Sequence, residues 1–250
     1  MAQPIIRTAG DMTSVRPIDP LRNGLMPQAL DQYRYFWEHL ENECIEKYGY
    51  LDGIATSFGP VELAAVLMGH GNFYMSLVEE PEKMHELLKV TTDSVIRWLE
   101  AQEKVNGSLK IIAIADHIPG QVSKEHFEEL WLPYTNAVTE AFPNAMMIYH
   151  NEFPIPYIEA LAEFRFHVFH FGGELEPVKN ALGDRVTLVG NLHPVSLMLH
   201  GSVEEVYEEA RQCLRKGIPG GRFLLSTAGG LAPGTPLGNL EAMAAALKSF

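Results

Sequence analysis

The most regular pattern in the chain is the stretch Pro81–Val105, where Met84, Leu87, Leu88, Thr91, Val95 and Leu99 recur at helical spacing. It predicts a long amphipathic helix, with Pro81 in the first turn, where a missing N–H has no partner to lose. The last fifty residues read as helix, strand, loop and helix. Ser202 and Glu205 have capping-box spacing, Val203, Val206, Ala210 and Leu214 form an apolar stripe, and Lys216-Gly217 ends it. Arg222–Ser226 then reads as a buried strand, Thr227–Gly234 as a close-approach loop, and Leu237, Leu240, Met243 and Leu247 as a closing helix. Near the N-terminus, Gln28–Tyr48 carries Leu30, Tyr33, Phe36, Trp37, Leu40 and Cys44, which predicts one helix ending near Gly49. Met1–Pro27 has little periodicity and reads as an arm, with Pro4–Arg7 as a short strand. Gly53–Phe58 reads as a strand, and the Gly59-Pro60 turn opens a helix holding Leu63, Val66 and Leu67.

From Lys110 onward short apolar runs alternate with helices. The runs are Lys110–Ala115, Ala145–Tyr149, His167–Phe171, Val186–Gly190 and Arg222–Ser226. Continuous apolar strands between helices indicate a parallel sheet covered on both faces, hence an α/β fold of the (β/α)8 TIM-barrel type. With Gly53–Phe58 there are about six βα units where a complete barrel has eight. Such a barrel lacks its first one or two units, is completed by a partner subunit, or closes differently. The expected organisation is an arm and helix over 1–50 and a barrel over 51–250, together one domain.

Composition narrows the partners. The 250 residues, 46% hydrophobic, suffice for a sizeable core, and 19 basic against 32 acidic residues give a formal charge of −13. No basic cluster tracks a phosphate backbone, so nucleic acid is not an expected partner. Cys44 and Cys213 make no disulfide framework, no apolar run reaches the ~20 residues that cross a bilayer, and no signal peptide is evident. These features predict a cytoplasmic protein without a membrane partner.

Five segments in order carry a resemblance. They are Phe58-Gly-Pro-Val-Glu-Leu-Ala64, Gln121–Phe127 with Leu132-Pro-Tyr134, Gly190-Asn-Leu-His-Pro194, Gly220–Gly230, and Pro233-Gly-Thr-Pro-Leu-Gly-Asn-Leu-Glu-Ala-Met243. From about Leu51 to the end the chain resembles the uroporphyrinogen decarboxylase superfamily, which also holds the methylcobamide:coenzyme M methyltransferases. The decarboxylases carry an Arg-Gln-Ala-Gly-Arg-Tyr segment near the N-terminus. Here Arg7-Thr-Ala-Gly10 lacks its second arginine and its tyrosine.

In a parallel barrel the reactive residues sit where strands end. Those positions here are Asp116-His117, His150 with Glu152, His170 with Glu174, Asn191 with His193, and Thr227–Gly230. In the resembling methyltransferases the His150-x-Glu152 position is His-x-Cys, two of three ligands of a zinc that activates a thiol, and the third ligand, a cysteine, lies where this chain has Gly229. The resemblance therefore implies a metal on His150 and Glu152 without the sulfur ligands, completed by His117, His170 or His193, or else imidazoles that bond internally and hold no metal. Asp116 holds a cationic or pyrrole N–H centre, moves a proton, or orients His117. His170 and Glu174 form a supporting pair, Asn191 braces the rim, and His193 stands where the family has aspartate. Asp116, His117, Asn191 and His193 are thus the catalytic candidates. Gly59, Pro60, His170, Gly229 and Gly230 are the cofactor-binding candidates, and His150 and Glu152 the metal ligands. Met146, Met147 and Met198 line a corrin surface or fill the core.

The resemblance implies a methyltransferase acting between a small substrate and a corrinoid, the latter free or on a partner protein, with zinc assistance and a homodimeric assembly. The alternatives are decarboxylation of a tetrapyrrole, and a catalytically silent tetrapyrrole-binding or partner subunit.

Overall fold

In the computed structural model residues 3–48 and 53–250 are described, and their packing divides the chain into two compact units, Met1–Met147 and Ile148–Phe250. The first holds α1 (Ala9–Ser14), α2 (Met26–His39), α3 (Asn42–Tyr48), β1 (Ile54–Phe58), α4 (Pro60–Met68), α5 (His70–Glu79) and α6 (Pro81–Asn106). It continues through β2 (Ile111–Ala115), a 3-10 turn at Ile118–Gln121, α7 (Lys124–His126), a π turn at Phe127–Trp131 and α8 (Leu132–Ala141). The boundary falls in β3 (Met146–Asn151). The second unit continues with a 3-10 segment at Ile158–Glu163, β4 (Val168–Phe171), α9 (Leu175–Leu182), β5 (Thr187–Leu192), α10 (Val203–Gly217), β6 (Phe223–Thr227) and α11 (Leu237–Lys248). The α/β expectation is met, each strand forming where an apolar run was read.

In the first unit β1 and β2 run parallel, in register from Ile54↔Ile111 to Phe58↔Ala115. The other edge of β1 is closed by side chains of α6. The Thr56 N–H donates to Gln102 Oε1 at 3.1 Å, and the Thr56 carbonyl accepts from Gln102 Nε2 and Trp98 Nε1, each at 3.1 Å. Unpaired backbone groups at a strand edge are costly when water is excluded, which accounts for a buried glutamine in the last turns of α6. All six residues of the α6 stripe are buried, and Gly107 ends the helix in the left-handed conformation, φ 72°.

In the second unit β3, β4, β5 and β6 pair in parallel in chain order. Behind them Tyr149 stacks on Phe169 with ring centroids 5.3 Å apart, and Phe164, Phe166 and Phe171 extend the cluster. The α10 capping box forms as its spacing predicts, Ser202 accepting from the Glu205 N–H and the Glu205 carboxylate from the Ser202 N–H.

Four local expectations differ. The arm contains α1, started by a Thr8–Asp11 capping box, and Pro4–Arg7 is not a strand, since Ile5 and Ile6 donate to the Leu67 carbonyl. One helix turn anchored by Met12 is too short to show periodicity. The stretch Gln28–Tyr48 is two helices, broken at Leu40-Glu41, and its expected end at Gly49 and the domain boundary at 51 lie outside the described residues. In α4 the buried apolar positions are Val61, Ala64, Ala65 and Met68, while Val66 is exposed. In α11 the packed positions are Asn239, Ala242 and Ala246, whereas Leu237 and Leu247 are 68% and 55% exposed. Alanines let α11 lie close to α10, and Asn239 Nδ2 donates to the Met198 and Gly201 carbonyls, so close approach and hydrogen bonding override the leucine stripe.

Candidate functional site

Two polar constellations form at strand ends, one in each unit. In the first unit, the residue after β2 is Asp116, whose side chain has no solvent exposure. Its Oδ2 accepts from the Glu62 N–H at 3.2 Å and its Oδ1 from the Ile118 N–H at 3.1 Å. Gly59, which caps α4 at the end of β1, has no room for a side chain. A Cβ there would overlap Asp116 Oδ2 and lie 2.9 Å from its Cβ and Cγ. Gly59 and Pro60, expected to contact a cofactor, are both buried, and Gly59 makes space for this carboxyl.

Glu62, in the first turn of α4, sits beside Asp116 and is also buried. Its Oε2 accepts from the His117 N–H at 2.9 Å and lies 3.6 Å from His117 Nδ1, and its Oε1 lies 3.8 Å from His70 Nε2. The two acids are driven apart in proton affinity. Burial, followed by the charge of Glu62, lifts Asp116 to about 7, against the hydrogen bonds from Ile118 and Glu62 and the Trp131 indole. Burial also works to raise Glu62, but the hydrogen bonds from His117 and the charges of His117 and His70 outweigh it and hold the carboxyl below its ordinary value. Tyr74, whose hydroxyl donates to Gln121 Oε1 at 2.8 Å, is raised by burial and by both acids. Sequence reasoning found Asp116 and His117 and missed Glu62. The available signal was a lone charge among the apolar residues of Pro60–Met68.

In the second unit the alternation of β3 turns Tyr149 and Asn151 inward and His150 with Glu152 to the opposite side. His150 Nε2 lies 3.5 Å from Glu152 Oε1. The β3–β4 register sets His150 opposite His170, with ring centroids 4.6 Å apart. His170 was expected to pair with Glu174; its Nε2 instead donates to the Thr227 carbonyl at 2.7 Å, and the Thr227 hydroxyl donates to the Gly229 carbonyl at 2.6 Å. Glu174 precedes the first turn of α9. Gly172 and Gly229 both make room for Glu152. A Cβ at Gly172 would overlap the Glu152 carbonyl, and one at Gly229 would overlap its Oε1 and lie 2.5 Å from its Cδ. Gly230 is exposed, with nothing within 4 Å of a Cβ built there.

These contacts test whether the pair suits a metal. Two donors bonded about 2.1 Å from a tetrahedral ion stand roughly 3.4 Å apart, and the His150–Glu152 separation is close to that. The carboxylate occupies a notch that a side chain at 229 would fill. An imidazole nitrogen and a carboxylate oxygen are also ordinary donors for zinc and similar divalent ions, so the residues fit the group.

Asn191 and His193 stand elsewhere in the second unit, lining an open groove of about 870 Å³ with Glu174 and Cys213. Asn191 Nδ2 donates to the Gly173 carbonyl, and its Oδ1 accepts from the Cys213 thiol at 3.3 Å, which burial pushes up in pKa. His193 Nδ1 accepts from the Val195 and Ser196 N–H groups at 3.2 and 3.0 Å, capping the turn that follows β5. Met147 and Met198 are core residues, and Met146 is partly exposed.

Residues 1–250 match the family described as Uroporphyrinogen decarboxylase (URO-D). A methylated-thiol–coenzyme M methyltransferase of Methanosarcina mazei is 25% identical over 206 residues, covering 80% of this chain and 54% of that protein. A methylcobamide:CoM methyltransferase of Methanosarcina barkeri is 28% identical over 198 residues, 77% of this chain and 56% of its own. A uroporphyrinogen decarboxylase of Methylococcus capsulatus is 25% identical over 181 residues, 70% and 51% of the two chains. The chain thus spans about half the length of these curated relatives. Among solved structures, a methyltransferase from Methanosarcina mazei shares the fold, with a TM-score of 0.76 and 24% identity over 94% of this chain and 67% of that one.

Proposed function

The chain belongs to the uroporphyrinogen decarboxylase family and has the α/β fold of its barrels, and from that premise we propose that it is a metal-assisted methyltransferase acting between a small substrate and a corrinoid. The observation that carries the reading is the His150–Glu152 pair, a nitrogen and an oxygen donor 3.5 Å apart, with the carboxylate in the space that Gly229 leaves. A divalent ion bound there supplies Lewis acidity that favours the deprotonated form of a substrate heteroatom. His150 holds its place through the packing of its ring on His170, which the Thr227 carbonyl orients in turn. In the first unit, Glu62 fixes His117 through the His117 N–H. The corrinoid is presented free or by a partner protein, the assembly is a homodimer, and the compartment is the cytoplasm. Among the described residues no helix is long and apolar enough to cross a membrane.

The similarity to decarboxylases makes carboxyl loss from a tetrapyrrole the second reading. Binding a polycarboxylate calls for cationic groups, whereas both constellations here are built of carboxylates and imidazoles, which weighs against it. Incubation with methylcobalamin and a panel of small thiols and alcohols tests the proposal. Loss of the methyl–cobalt absorbance that requires His150 is the expected result, and CO₂ release from uroporphyrinogen without methyl transfer would overturn it.

A further inference from the structure

Gly229 is buried, and its φ lies outside the left-handed region, so its backbone does not demand glycine. Its lack of a side chain has another reason. A Cβ there would overlap Glu152 Oε1, lie 2.5 Å from Cδ and 3.1 Å from Cγ, and meet the carboxylate that stands next to His150 Nε2. Glu152 is 45% exposed and flexible at its far end, so a methyl group at 229 would push the carboxylate out toward solvent. Gly230, one residue on, has an equally ordinary φ and meets nothing. It provides a matched comparison in the same loop.

We propose that Gly229 is the specificity-determining residue of the His150–Glu152 centre: the missing side chain seats the Glu152 carboxylate beside the imidazole and gives the centre its nitrogen-and-oxygen donor set. The ligand class this set takes is a borderline divalent cation such as Zn²⁺ or Co²⁺, with further positions left for a substrate heteroatom. The role in metal selection rests on the metal reading above, whereas the seating of Glu152 stands on the geometry alone.

The two parts separate experimentally. In metal-free protein with ¹⁵N-labelled histidine, Gly229→Ala should move the His150 side-chain resonances as Glu152→Ala does, and Gly230→Ala should leave them in place. A His150 signal unmoved by Gly229→Ala overturns the seating. Calorimetric titration with Co²⁺ then reads selection. Gly229→Ala should weaken binding at least tenfold, Gly230→Ala should not, and in a Glu152→Ala background Gly229→Ala should have no further effect. Equal losses in both backgrounds, or none in either, overturn the selection role. If wild-type protein binds no Co²⁺ or Zn²⁺, the metal reading fails together with selection, and the histidine spectra still decide the seating. Unfolding midpoints of the variants should stay within a few degrees of wild type, so altered binding is not read from misfolded protein.

Discussion

The two constellations are built from the same residue types and use them in opposite ways. In the first unit Asp116 and Glu62 are buried, both Asp116 oxygens accept from the N–H groups of Ile118 and Glu62, and Glu62 Oε2 accepts from the His117 N–H. In the second unit Glu152 is half exposed, its carboxylate beside His150 in the space that Gly229 leaves. A carboxylate whose lone pairs are taken up by backbone donors is a structural element with a shifted proton affinity. One positioned by shape, with its lone pairs accessible, is a ligand in waiting.

The largest expected effect follows from the difference in freedom. At Gly59 the obstructing group is a buried carboxyl that cannot swing away, so Gly59→Ala should cost about 3 kcal/mol by denaturant unfolding. A loss under 1 kcal/mol would mean the Asp116 pocket is as yielding as the notch at Gly229. Next is the acid pair itself. Asp116 is raised from 3.8 to about 7, so the folded state holds a proton that the unfolded chain has released. Stability contributed by this group is therefore full below about pH 4, declines as pH rises through 7, and is level above. Asp116→Asn should abolish that decline while costing about 1–3 kcal/mol at low pH, because an amide accepts less well from two backbone donors. Glu62→Gln should shallow the decline, since the Glu62 charge is the second cause of the shift. An unchanged slope in both variants would place the titration elsewhere. The smallest effect belongs to the second unit, where Glu152→Gln should change stability by less than about 0.5 kcal/mol, as for an exposed side chain.

Much of this was legible in the residues. The strands and α6 follow from apolar runs and periodicity, and the strand alternation that puts His150 and Glu152 on one side is visible in the spacing alone. What was not legible depends on contacts between distant segments. Gln102 closing the edge of β1, Glu62 reaching His117, and Gly59 giving way to Asp116 each join residues more than 40 positions apart. The turn that His193 caps and the exposed leucines of α11 were missed for another reason. There, local hydrogen bonding and close alanine packing decided between conformations that hydrophobicity does not rank.

The central claim is that the exposed pair, and not the buried one, is the reactive centre. Metal analysis of the purified protein after incubation with Zn²⁺ and dialysis tests it most directly, with the His150→Ala/Glu152→Ala and Asp116→Asn variants in parallel. The account predicts near-stoichiometric metal in the wild type and in Asp116→Asn, and none in the double variant. A metal-free wild type, or metal retained by the double variant, would contradict it.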